Sequence, residues 1–294
     1  MSGELRRVDG KPVLRFERLL RHSPAKVWRA LTEPAELEHW FPAKVVIDGK
    51  AMRFVFPDAT NDGEVLESDP PRVFAFRWHT DVLRFELLPH EDGCLLVFTH
   101  VLDVEHSAGR TAAGWDSCLA ALRARLADRP FEPSDDRLGP MEHYVRRFGL
   151  DEGHVDGREV RFVRDLVWKP LQEVWELFTE GADGVPARAA NPHVPPGPVT
   201  HVRPPRLLEF DSPTGRVRWE FRHDPDQGTT VELTHTVHDP AFAPTALAAW
   251  HVHLELFFAA TFGEIRCPWP EDRVAELVRH YGNRASSRAR WSRP

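Results

Sequence analysis

The sequence predicts two consecutive α+β domains, each an antiparallel sheet followed by a long helix. Three observations carry this expectation. Residues 27–33, VWRALTE, recur as residues 174–180, VWELFTE, and Pro70-Pro71-Arg72, Thr99-His100 and Trp115 recur in the same order as Pro204-Pro205-Arg206, Thr234-His235 and Trp250. One unit is therefore present twice, and each copy is long enough to bury its own core. Short apolar runs separated by Asp48-Gly49, Asp62-Gly63 and Asp92-Gly93 read as hairpins, because Asp-Gly reaches the left-handed conformation that tight turns require. The last apolar stretch of each copy has helical spacing instead: Trp115, Leu119, Leu122 and Leu126 share one face, as do Trp250, Leu254 and Phe257.

In the first copy, residues 13–21 mix apolar and charged positions in near alternation and read as a strand. Ser23-Pro24 then opens a helix through Trp28, Leu31 and Thr32, since proline fits the first helical turn without losing a bond. The stretch PAELEHWF, residues 34–41, is expected to restart a helix. Strands follow over residues 44–48, 52–56, 63–68, 73–79, 82–88 and 94–103, and the closing helix over 111–126. In the second copy Val217, Trp219 and Phe221 alternate with Arg216, Arg218, Glu220 and Arg222, which turns one face of that strand inward. Val231, Leu233, His235 and Val237 fall on one face of the next strand, so His235 points inward, and by register so does His100. The second closing helix spans 244–263 and carries His253 where the first has Cys118.

The two copies are unequal. Matched positions lie 146 residues apart at Phe16 and Phe162, 147 at Trp28 and Trp175, and 134 or 135 from Pro70 onward. The second copy thus lacks about a dozen residues between its first helix and its Pro-Pro-Arg, and residues 181–198 are rich in proline and glycine there. Each copy ends on an aromatic-glycine pair after a short helical stretch, Phe148-Gly149 and Tyr281-Gly282. The expected domains are residues 1–128, a linker with a short amphipathic helix over 129–157 that packs on its own domain, a shortened second domain over 158–265, and a C-terminal helix with a flexible tail over 266–294.

Composition narrows the function classes. With 41% hydrophobic and 28% charged residues in 294, the chain reads as globular. No run approaches the ~20 apolar residues of a membrane span, and the opening MSGELRRVDGK has no apolar core of a secretory signal. A cytoplasmic protein without membrane insertion is expected. Cys94, Cys118 and Cys267 are scattered without CxxC spacing, against both a disulfide framework and a zinc site. A net charge of −7 with no basic run except residues 284–294, read as a solvated tail, argues against nucleic acid. Gly109 to Gly114 has the glycine spacing of a phosphate-binding loop, but Trp115 stands where its lysine is needed. No GxSxG nucleophile elbow occurs. His251 and His253, two apart on a helix, point away from each other and cannot share one ion, and His251 with Glu255 reads as a solvated pair. No metal and no cofactor is expected.

The order strand, two helices, a long antiparallel run and a final helix resembles the helix-grip fold of the START-like (SRPBCC) superfamily. Residues 22–41, HSPAKVWRALTEPAELEHWF, with Gly63-Glu64-Val65, Pro70-Pro71-Arg72 and Gly114-Trp115, narrow the resemblance to bacterial START-like members of the family named after the activator of Hsp90 ATPase. It covers nearly all of residues 12–128. The second copy is similar more loosely, having no counterpart of His39-Trp40-Phe41. The resemblance implies a cavity between the curved sheet and the final helix, commonly used for an apolar or amphipathic small molecule.

The leading expectation is therefore binding of a hydrophobic or aromatic small molecule, chiefly in the first domain, with the second a shrunken structural partner. Expected lining residues are Trp40, Phe54, Phe76, Trp78, Phe85, Phe98, His100, Trp115, Cys118, Leu119 and Leu122, and in the second copy Trp219, His235, Trp250 and His253. An alternative is a START-like cyclase, aromatase or hydrolase, with an inward histidine, His100 or His235, and the carboxylate Asp103 at the cavity mouth as the candidate catalytic groups. A third reading, carried by the family resemblance, is a cofactor of an Hsp90-type chaperone. The tandem is expected to act as a monomer whose two domains pair as a single-copy relative's dimer would.

Overall fold

Alternating apolar residues pair into sheets wherever a turn residue lets the chain reverse, and the computed structural model shows this twice. It describes residues 3–57, 59–180 and 184–291, without side chains for 284–291. The chain divides into two units, Met1–Phe148 and Gly149–Pro294. No helix among the described residues is long and apolar enough to cross a membrane.

Unit 1 contains β1 (Glu4–Val8), β2 (Lys11–Leu20), α1 (Pro24–Thr32), α2 (Pro34–Leu37), β3 (Lys44–Asp48), β4 (Ala51–Val55), β5 (Thr60–Asp69), β6 (Val73–Trp78), β7 (Asp81–His90), β8 (Gly93–Val101), α3 (Ala108–Leu126) and α4 (Leu138–Phe148). The strands form one antiparallel sheet in the order β1-β2-β8-β7-β6-β5-β4-β3. Ser23 caps α1 by accepting from the Lys26 N–H, with Pro24 in the first turn. The expected helix over residues 34–41 stops at Leu37. Trp40 lies in the following turn, where its indole N–H donates to the Ala30 carbonyl at 2.8 Å and ties the turn back to α1. The hairpin partner β1 lies outside the expected elements because its side chains are solvated on both faces, leaving no alternation to read. Its turn, Asp9-Gly10, has both residues at positive φ, 49° and 81°.

Unit 2 contains β9 (His154–Asp156), β10 (Glu159–Asp165), α5 (Leu171–Thr179), β11 (Val199–Arg203), β12 (Leu207–Ser212), β13 (Gly215–Asp224), β14 (Gly228–Val237), α6 (Ala243–Thr261) and α7 (Glu271–Trp291). Its sheet runs β11-β12-β13-β14-β10-β9. This is the order of unit 1 ending at the counterpart of β5, with no equivalent of β3 and β4 among the described residues. A short 3-10 turn at Ala187–Ala189 and a single bridge between Asn191 and Val194 occupy the intervening segment.

Three boundaries differ from the sequence reading. The stretch expected as a linker is divided: α4 packs on α3, and residues 154–156 form β9. Close packing of α4 depends on Gly109, where an added Cβ would lie 2.6 Å from Val145 Cγ2. Where a flexible tail is expected, α7 continues to Trp291, and residues 292–294 lie outside the described ones. Finally, Tyr144 rather than Phe148 matches Tyr281. The Tyr144 hydroxyl accepts from the Gly3 N–H at 2.8 Å and that of Tyr281 from the Gly153 N–H at 3.2 Å, so each terminal helix ties down the chain ahead of its own first strands.

Candidate functional site

The inward face of unit 1 is aromatic because alternate residues of β8, β7, β6 and β4 are. Phe98 and His100 on β8 stand beside Leu83 and Phe85 on β7, and Phe98 also faces Phe16 on β2. Trp115 on α3 closes onto this face, its ring 4.6 Å from Phe98 and 5.8 Å from Phe41. Phe54 and Phe76 continue the layer, with Phe54 stacked on Trp78 at 4.9 Å and Phe56 on Trp78 at 5.7 Å. Each ring pair adds about 0.5–1.5 kcal/mol beyond area burial. Trp40, Phe54, Phe76, Phe85, Phe98, His100, Trp115, Leu119 and Leu122 are all buried. Trp78 and Cys118 keep partial solvent access. Burial nonetheless pushes the Cys118 thiol up to about 12, so it is a neutral apolar group rather than a nucleophile.

At the polar end of this layer, His100 has both ring nitrogens engaged. The Trp115 indole N–H donates to Nδ1 at 2.8 Å, and an indole can only donate, so Nδ1 carries the lone pair. Nε2 therefore carries the proton and donates it to Asp81 Oδ2 at 2.8 Å. The other oxygen of Asp81 accepts from the Asp103 backbone N–H at 2.9 Å. The sequence offers Asp103, just past the end of β8, as the candidate cavity-mouth carboxylate. In the structure the Asp103 side chain is exposed, and Asp81 makes the contact. Asp81 was hidden from sequence reasoning because it opens a strand at a turn, where an acidic residue reads as solvated. Only the pairing of Leu83 with His100 brings it within reach.

Unit 2 keeps the tryptophan and loses the acid. Trp250 donates to His235 Nδ1 at 3.1 Å, while Nε2 lies 3.3 Å from the Thr214 hydroxyl. The position of Asp81 is Gly215 by strand register, and that of Trp78 is Ser212. Burial pushes the His235 pKa down to about 4. Trp219, Trp250 and His253 are buried together, with His253 5.3 Å from each indole. His253 Nε2 lies 2.7 Å from the Arg188 carbonyl, and burial lowers its pKa to about 4, so it is a neutral donor fastening the segment that stands where unit 1 has β3 and β4.

The same helix carries a second polar group on its other side. His251 is buried with Asp151 Oδ2 at 3.3 Å and Glu255 Oε1 at 3.4 Å, and its Nδ1 lies 2.8 Å from the Tyr281 hydroxyl. Burial works against the imidazolium, but the two carboxylates outweigh it and raise the His251 pKa. The expectation of a solvated His251 and Glu255 pair is thereby corrected: α7 covers the outer face of α6. The signal was present in residues 246–260, ALAAWHVHLELFFAA, where His251, His253 and Glu255 are the only polar residues and apolar ones fall on every side, as expected of a helix covered on both faces. Asp151, His251 and Glu255 have ligand atoms within 4.8 Å of one another, a spacing at which a cation can be held.

Residues 21–127 match the family model described as Activator of Hsp90 ATPase homolog 1-like protein. Among solved structures, a conserved protein of unknown function from Enterococcus faecalis is 24% identical, covering 50% of this chain and 90% of that one, with a TM-score of 0.46. CalU16 from Micromonospora echinospora is 19% identical over 51% of this chain and 97% of its own, with a TM-score of 0.40. The Aha1 dimer from Colwellia psychrerythraea is 19% identical over 39% and 95%, with a TM-score of 0.36. No curated protein matches the chain.

Proposed function

We propose that this activator of Hsp90 ATPase homologue 1-like domain, residues 21–127 within unit 1, binds an apolar or aromatic small molecule between its sheet and α3 without converting it. The observation that carries the reading is the aromatic layer of Phe41, Phe54, Phe56 and Trp78, in which Trp78, at the end of β6, stays half-buried although Phe54 and Phe56 stack on it and Phe41 lies tilted against it. Phe56 and Trp78, large rings with residual solvent access over the buried Phe41 and Phe54, are the kind of lining a flat apolar ligand requires. Unit 2 has Ser212 in place of Trp78 and a segment fastened by His253, which supports assigning the binding chiefly to unit 1.

Binding is favoured over proton-transfer catalysis because His100 is committed on both sides. Its Nδ1 accepts from Trp115 and its Nε2 donates to Asp81, so neither nitrogen meets a substrate unless one of these bonds breaks. His235 has the same arrangement with a hydroxyl. Titration of the full chain with N-phenyl-1-naphthylamine, followed by native mass spectrometry and probe fluorescence, tests the reading. One probe per chain is expected, with affinity at least tenfold lower in Trp78→Ala and changed less than twofold in Trp219→Phe. Absence of binding, or equal losses in both variants, would overturn it.

A further inference from the structure

Unit 2 holds a polar cluster that the ligand-binding reading leaves unused. The His251 side chain is 4% exposed, those of Asp151 and Glu255 8% and 20%. His251 Nε2 is buried and makes no hydrogen bond, although carboxylate oxygens lie 3.3 and 3.4 Å away. Neither contact meets the geometry of an N–H···O hydrogen bond. A buried nitrogen aimed between two carboxylates, and bonded to neither, calls for a third party.

The separations indicate which kind. A tetrahedral divalent ion with bonds of about 2.0–2.2 Å holds its ligand atoms about 3.3–3.6 Å apart, and both distances from Nε2 fall on that edge. One imidazole and two carboxylates are a donor set for Zn²⁺ or Mn²⁺. We infer that Asp151, His251 and Glu255 form a divalent-cation site, with a fourth position left for water or a small anionic ligand. Neighbouring groups orient the ligands: Tyr281 bonds Nδ1 and accepts from the Gly153 N–H, while Arg273 reaches Glu255 at 3.4 Å and Glu276 at 3.0 Å.

The repeat supplies an internal contrast. In unit 1 the residue after the helix tryptophan is Asp116, which accepts from the Tyr144 hydroxyl and pairs with Arg18, while the position of Glu255 is Ala120. There one ion pair completes the site. In unit 2 Arg164 holds the position of Arg18 and its charge reaches Asp151, while His251 and Glu255, which stand at the positions of Asp116 and Ala120, complete a three-member cluster with that carboxylate. Arg164 and Arg273 hold the affinity below that of a site made of bare carboxylates.

The full chain, stripped with EDTA and dialysed, is titrated with Zn²⁺ and separately with Mn²⁺ by calorimetry and thermal unfolding. The expected result is one ion per chain and a raised Tm, with affinity at least tenfold weaker in His251→Gln and in Glu255→Gln and within twofold of the parent in the surface variant Glu264→Gln. Because Glu255 is partly exposed, its variant keeps the test decisive if His251→Gln does not fold. Co²⁺ should give the visible absorption of a four-coordinate ion, lost in Glu255→Gln. No stoichiometric binding by the parent chain would sink the assignment, and so would parent-like affinity in both Asp151→Asn and Glu255→Gln, which would put the ion on surface side chains.

Discussion

His100 and His235 face matching tryptophans from matching strands, yet one has a carboxylate on its far nitrogen and the other a hydroxyl. The difference has a pH consequence for His235. Its folded pKa, about 4, lies below the ordinary 6.5 of the unfolded chain, so the unfolded state binds the proton first as pH falls. Stability is complete above about pH 6.5 and is lost as pH drops toward 4, by about 1.4 kcal/mol per unit and up to about 3 kcal/mol in all. Urea midpoints measured across this window should fall more steeply for the parent chain than for His235→Gln; matching slopes would assign the acid sensitivity elsewhere. At this scale the inward direction of both histidines was legible, because alternation along β8 and β14 fixes which side each faces. The identity of the carboxylate was not: Asp81 and Asp103 are both turn acids in sequence, and only three-dimensional register separates them.

Among elements, the strands of both sheets follow from alternation and Asp-Gly turns, and α3 and α6 from their apolar spacing. The helix expected at residues 34–41 shows where that logic fails. Its apolar residues Trp40 and Phe41 are placed by a tertiary bond to Ala30 and by contacts with Phe54 and Trp115, which local spacing cannot encode. The Asp151, His251 and Glu255 cluster was hidden for a related reason, since α6 becomes buried on its second face only when α7 packs there. The equivalent contact in unit 1, α3 against α4, depends on Gly109. Substituting Gly109→Ala places a methyl 2.6 Å from Val145 Cγ2 and forces the helices apart. Despite the better helix propensity of alanine, a net loss of about 1–3 kcal/mol is expected. Thermal unfolding measures it, and Gly109→Ala combined with Val145→Ala should recover part of the loss.

For the whole molecule, duplication was the feature most open to reading, because repeated residues need no physical model to be recognised. Where each unit ends was less so: α4 belongs with the first unit by the Tyr144 tie to Gly3 and Asp116. A chain of residues 1–148 is therefore expected to fold alone, with a cooperative thermal transition and dispersed amide resonances, whereas residues 1–128 lack the tie and should unfold at lower temperature. Equal stability of the two would mean that α4 adds nothing to its unit. The Gly215 backbone bears on how the copies diverged. At φ 150°, an added Cβ would lie 2.2 Å from the Thr236 carbonyl and 2.9 Å from His235 Nε2. No side chain can return to that position while the strand keeps its present path, so an acid cannot be restored beside His235 by a single codon change. The two copies therefore differ in what their backbones permit: a carboxylate stands beside the inward histidine in unit 1, and the corresponding place in unit 2 is closed to any side chain.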